Sequence, residues 1–191
     1  IKTLIGVLFW GNLAFFSVTF SFLRSYVHGT ELPLLKRFLF SKLLQATAFL
    51  ALYYRDQIPD LLSVNMGNTL IYIGYYLEAY VLIAIVDEMN TKRKKLFFSM
   101  LLFDLVLFNS VVFLGTAPNI RIGVASLIIV TFILFPALVF SFKRESSPFR
   151  RFLGAILLFI VIAFCFRAGM GFRSAQVILF SNNMVQAVSF M

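Results

Sequence analysis

Apolar runs about as long as a bilayer is thick recur along this chain, and short basic stretches separate them. A helical crossing takes ~20 mostly apolar residues. Such runs extend from about Leu4 to Leu23, Phe38 to Tyr54, Val64 to Val86, Leu96 to Leu114, Ile122 to Phe142 and Phe152 to Phe166. A seventh begins near Gln176 and reaches Met191. Lipid leaves no water for backbone groups, so each run must be a helix or a barrel strand. Barrel strands alternate over ~10 residues, and these runs do not. Composition agrees, with 61% hydrophobic and 13% charged residues; soluble domains hold about 45–50% and about 25%. The expected fold is all-α: a polytopic membrane helix bundle of about seven transmembrane helices.

The loops orient it. Lys and Arg collect on the cytoplasmic side, most reliably in short loops. Twelve of the 17 basic residues fall in three alternate stretches. These hold Arg24, Lys36, Arg37 and Lys42, then Lys92 to Lys95, then Lys143, Arg144, Arg150 and Arg151. Lys2, Arg55, Arg121, Arg167 and Arg173 fall on the other side. The first, third and fifth loops are therefore expected in the cytoplasm, with the N-terminus outside and, after seven spans, a cytoplasmic C-terminus. The net charge of +9 is then mainly a topology signal, with a contribution to anionic-lipid contact and no indication of nucleic acid. The first residue is not Met and the chain stops inside an apolar run. The expectation is one transmembrane domain over 1–191, a fragment whose seventh helix is truncated.

One cysteine, Cys165, and one histidine, His28, exclude several chemistries. An internal disulfide, a Cys/His zinc site and bis-histidine haem all need more ligands. No GxxxxGK[ST] or GxGxxG phosphate loop is present. No cofactor is expected. The visible part of the seventh run has no lysine for a retinal Schiff base.

"RDQIPDLLSVNMGN", from Arg55 to Asn68, interrupts the apolar pattern. Pro59 is unsuited to a helix interior, so "RDQIPDLLS" reads as a tight turn. Asp60 or Ser63 is placed to cap the helix that follows. The surrounding segment, Leu43 to Glu88, resembles the membrane-embedded sensory regions that precede bacterial diguanylate cyclase (GGDEF) domains. The residues that carry the resemblance are Arg55, Pro59, Asp60, Ser63, Gly67, Asn68 and Gly74, with a later "RRFLGAILLFIVIAFCFRAGMG" bearing Arg151 and Arg167 near its ends. No GG[DE]EF occurs, so any catalytic residue of that family lies outside this chain. The resemblance implies a bacterial inner-membrane location, a cytoplasmic output that makes cyclic di-GMP, and a homodimer, because joining two GTP molecules takes two cyclase domains.

Ionisable groups at membrane depth are costly and mark functional candidates. Glu78 and Asp104 each lie eight residues from the cytoplasmic end of their span, ~12 Å deep at ~1.5 Å per residue. They are expected within reach of one another, directly or through Lys42 or water. The competing expectation is that each is protonated and hydrogen-bonded in the bundle. Asn65, Asn68, Tyr72 and Tyr75 recur at spacings of three and four on one helical stripe, which is expected to line a packed interface or a polar pocket open to the outside. Arg167 and Arg173 are candidates for an anion-binding rim or for interfacial anchors. Pro136 is a candidate kink. The 25 phenylalanines form no stripe.

The expected function is a membrane sensory domain that transmits to a cytoplasmic output, with an unidentified stimulus. A sensor histidine kinase input domain is an alternative. A small transporter or transport-complex subunit is another, although no repeat or pair of broken helices is evident.

Overall fold

The structure, a computed structural model, describes residues 2–26, 32–86, 89–142 and 147–189. Among these residues every regular element is a helix: α1 (Lys2–Tyr26), α2 (Leu32–Tyr53), α3 (Gly67–Val86), α4 (Thr91–Phe113), α5 (Pro118–Phe142) and α6 (Pro148–Ser189). A π-helical turn, Leu61–Met66, leads into α3.

Four helices are long and apolar enough to cross a membrane: Leu61–Val86, Thr91–Phe113, Pro118–Phe142 and Pro148–Ser174. The apolar part of α1, Ile5–Ser21, is shorter. α2 is a continuous helix that carries Lys36, Arg37 and Lys42 along its length.

Local chemistry places most boundaries. Asn90 caps α4, its side chain accepting from the Arg93 amide at 2.9 Å. Pro118 and Pro148 open α5 and α6, where a missing N–H costs nothing. The turn before α3 departs from expectation. It closes with Gln57 N donating to Tyr54 O at 2.8 Å, but Asp60 makes no side-chain cap. Ser63 instead donates from Oγ to the Pro59 carbonyl at 3.3 Å. A π-turn shifts the register of the first amides, so the side chains spaced to cap an α-helix do not reach them.

The largest departure is at the C-terminal end. The expected sixth and seventh spans are one helix of 42 residues, ~63 Å long at ~1.5 Å per residue. Residues 167–175 pass through it without a turn. Helical backbone there is held by close packing on α5. A Cβ on Gly171 would stand 2.8 Å from the Asn119 carbonyl oxygen, and one on Gly123 would stand 2.9 Å from the Phe172 ring. Small residues let membrane helices approach this closely. The last 15 or so residues of α6 then run ~22 Å past the start of α5. The expected cytoplasmic C-terminus rested on a separate seventh helix, whereas residues 176–189 continue α6.

In space the helices follow the order α1, α2, α3, α5, α6, with α4 lying across α3 and α5. α3 and α5 are thus central. Their core is aromatic: Tyr72 meets Phe108 edge-on at 5.3 Å between centroids, and Phe97 meets Phe132 at 6.2 Å. Large apolar side chains on the far faces of α1, α4 and α6 are exposed, among them Trp10, Phe103 and Phe159, as suits surfaces turned to lipid.

Candidate switch site at the α2–α3 crossing

Gly74 decides how closely α2 and α3 cross. A Cβ at this position would lie 2.7 Å from Gln45 Cγ and 3.2 Å from the Ser41 carbonyl oxygen. One turn further along α3, on the same face, stands Glu78. The close crossing therefore carries α2's polar side chains onto its carboxylate.

Lys42 Nζ meets Glu78 Oε1 at 2.7 Å. Gln45 donates from Nε2 to Glu78 Oε2, also at 2.7 Å. Lys42 makes a longer hydrogen bond to Gln45 Oε1 at 3.4 Å. The side chains of Lys42 and Glu78 are only 10% and 21% exposed. Lys42 Nζ also lies 5.2 Å from the centre of the Phe38 ring and 5.8 Å from that of Phe15, on α1. One cation thus contacts α1, α2 and α3 at a single depth. The set is formally neutral, and both carboxylate oxygens have donors, which is what a buried ion needs.

Asp104 is elsewhere. It is 4% exposed and its Oδ2 lies 3.0 Å from Thr131 Oγ1 on α5. The expected meeting of Glu78 and Asp104 is therefore not made: one carboxyl faces α2 and the other α5. Equal depth fixed their height and left their rotation about the helix axes open. Thr131 Oγ1 also donates to the Ile128 carbonyl at 2.7 Å. One hydroxyl proton serves two acceptors, so a proton on Asp104 would complete this pair. A cavity of about 370 Å³ between α4 and α5 is lined by Met100, Phe103, Asp104 and Thr131.

The polar stripe on the third span is divided. Asn65 sits in the π-turn and donates from Nδ2 to Asn109 Oδ1 on α4 at 3.2 Å. Asn68 bonds back to the Val64 carbonyl at 2.6 Å. Tyr72 is wholly buried against Phe108, and its hydroxyl has no hydrogen-bond partner among the described residues. Tyr75 is half-buried. Arg167 is exposed on α6, its guanidinium 6.0 Å from the Phe164 ring centre. Arg173 is also exposed. At the turn before α3 Lys2 pairs with Asp56 at 2.8 Å on the surface, and that hydrogen bond holds the Asp56 carboxyl below the ordinary aspartate range.

Gln45, Asn109 and Thr131 complete these contacts and were not singled out from sequence. Gln45 carried a readable signal, three residues after Lys42 and on its face. Asn109 and Thr131 carried none, because single polar residues in apolar runs are common. Among the described residues no three His, Cys, Asp or Glu side chains converge on a metal site.

Chemically, the arrangement can hold a pair of opposite charges in an apolar bundle. Comparison with protein-family models, characterised proteins and solved structures finds no match.

Proposed function

We propose that the chain is the sensory and signal-transmitting membrane part of a bacterial inner-membrane protein whose output is cyclic di-GMP synthesis, with Lys42, Gln45 and Glu78 as its switch. The observation that carries the reading is one cation tied to three helices at membrane depth. Keeping such a pair costs little once it is made, whereas stranding one partner costs ~3–5 kcal/mol. A stimulus that slides α2 on α3 therefore meets two discrete arrangements, made or broken, which is what a switch requires.

The output rests on the resemblance borne by Arg55, Pro59, Asp60, Ser63, Gly67, Asn68 and Gly74. It implies a homodimer, since two cyclase domains must meet. The basic loops mark the cytoplasmic side. α6 then leads away from the cytoplasm, so this reading requires one further crossing ahead of the output domain.

The test is cyclic di-GMP in cells that express the full-length protein or its Glu78→Gln variant at matched membrane abundance. Full-length protein should raise the nucleotide, and the variant should change its level about tenfold or more, because ~1.4 kcal/mol already corresponds to tenfold. No response to the full-length protein refutes the cyclase output. Equal levels from the variant refute the switch.

A second reading, a small transporter, is favoured by Asp104 and Thr131 beside the α4–α5 cavity. Substrate uptake lost in Asp104→Asn, with no cyclic di-GMP response from the wild type, would select it.

A further inference from the structure

A groove of about 370 Å³ lies between the ends of α2, α3 and α4 that the loop charges assign to the cytoplasm, lined by Arg37, Leu77, Tyr80, Lys94, Lys95 and Phe98 among others. We infer that it binds the headgroup of an anionic phospholipid. Its size falls within the ~300–1,000 Å³ of small-molecule sites. Arg37 comes from α2, and its guanidinium lies 5.0 Å from the Tyr80 ring centre on α3. That contact holds the cation over the groove and leaves its N–H groups to donate. Lys94 and Lys95 come from the first turns of α4. Three cations from two helices therefore converge over an apolar floor of Leu77 and Phe98.

The placement of the lysines argues separately for an anion. A helix N-terminus is already positive, and acidic residues stabilise it. α4 has no acid in its first turn and carries Lys92 and Lys94 there instead, with Lys95 following. This cost to the helix is offset where phosphate neutralises the end. Among the described residues no carboxylate is in ion-pair contact with Arg37, Lys94 or Lys95; Asp87 and Glu88, in the α3–α4 connection, lie outside those residues.

A lipid fits better than a soluble anion because the groove opens onto apolar surface. Phe98 and Leu102 lie one turn apart on α4 and are each about half exposed, at 50% and 49%. They extend the floor towards the bilayer centre, where an acyl chain would lie. Basic pockets between helices on the cytoplasmic side suit anionic headgroups in this way.

The test uses the full chain in nanodiscs of phosphatidylcholine with or without phosphatidylglycerol, with retained lipid counted by native mass spectrometry. Wild type should retain phosphatidylglycerol selectively. The triple exchange Arg37→Gln, Lys94→Gln, Lys95→Gln should weaken retention by about fivefold per cation removed. The control pair Lys36→Gln, Lys92→Gln, exposed on the same helices, should leave it nearly unchanged. Equal loss from both sets would reduce the effect to general surface charge and overturn the site. Displacement of the lipid by inorganic phosphate, with equal stabilisation by phosphate in phosphatidylcholine alone, would make it a soluble-anion site and overturn the lipid assignment. If the triple variant does not fold, Lys95→Gln alone should weaken retention about fivefold, and unchanged retention overturns the proposal. None of these readouts depends on cyclic di-GMP, so the lipid site and the signalling reading fail separately.

Discussion

Tyr72 is enclosed by Phe108 and its neighbours, and among the described residues its hydroxyl has no hydrogen-bond partner. A buried polar group left unpaired costs ~1–3 kcal/mol. Tyr72→Phe should therefore leave unfolding stability in lipid unchanged or raise it by ~1 kcal/mol. A loss of stability on denaturant titration would mean that the hydroxyl has an essential partner. At the residue scale the sequence was informative about depth. The position of Glu78 and Asp104 along their helices follows from a fixed rise, and both are indeed inside the bundle. It was silent about direction, because partners depend on how each helix is rotated by packing elsewhere. Glu78 found Lys42, one of the expected routes, and Asp104 found Thr131 instead. Part of the Asn65–Tyr75 stripe lies at a packed interface, one of its two expected outcomes: Asn65 meets Asn109 and Tyr72 meets Phe108, both on α4. Asn65 itself lies in the π-turn at Leu61–Met66, across which an α-helical spacing rule does not carry.

Among the elements, small residues set the geometry. Gly74 holds α2 and α3 together as Gly123 and Gly171 hold α5 and α6. Gly74→Val would push its side chain into Gln45 and the Ser41 carbonyl. We expect a loss of ~1–3 kcal/mol in denaturant stability from overpacking. Gly169→Ala is the contrast, because a Cβ there meets nothing within 4 Å. It should be tolerated, with a gain of up to ~1 kcal/mol from helix propensity. Equal effects from the two exchanges would contradict the close crossing at Gly74. Helix existence was legible because apolar runs of bilayer length have few other solutions. The end of the sixth span was not. "RAGMG" offers two glycines beside an arginine in the stretch between the sixth and seventh apolar runs, yet Gly171 serves contact with α5, Gly169 faces open space, and the backbone stays helical.

Taken whole, the molecule carries two groups of charges on which its proposed roles rest: basic residues at the ends of α2 and α4, and a neutral ionic set inside the crossing of α2 and α3. The first was visible in the sequence as loop composition. The ionic set required tertiary structure, because Lys42 and Glu78 are 36 residues apart. In the proposed reading the first group anchors the bundle at the membrane surface and the second is a bistable contact. That reading makes the pairing of opposite charges the switch, and not the identity of the residue at either position. Reversing the pair tests this most directly. In the full-length protein, Lys42→Glu and Glu78→Lys should each shift cellular cyclic di-GMP about tenfold or more, and the two together should return it towards the wild-type level. If the double exchange differs from wild type by the product of the two single effects, the residues act independently and the account is contradicted.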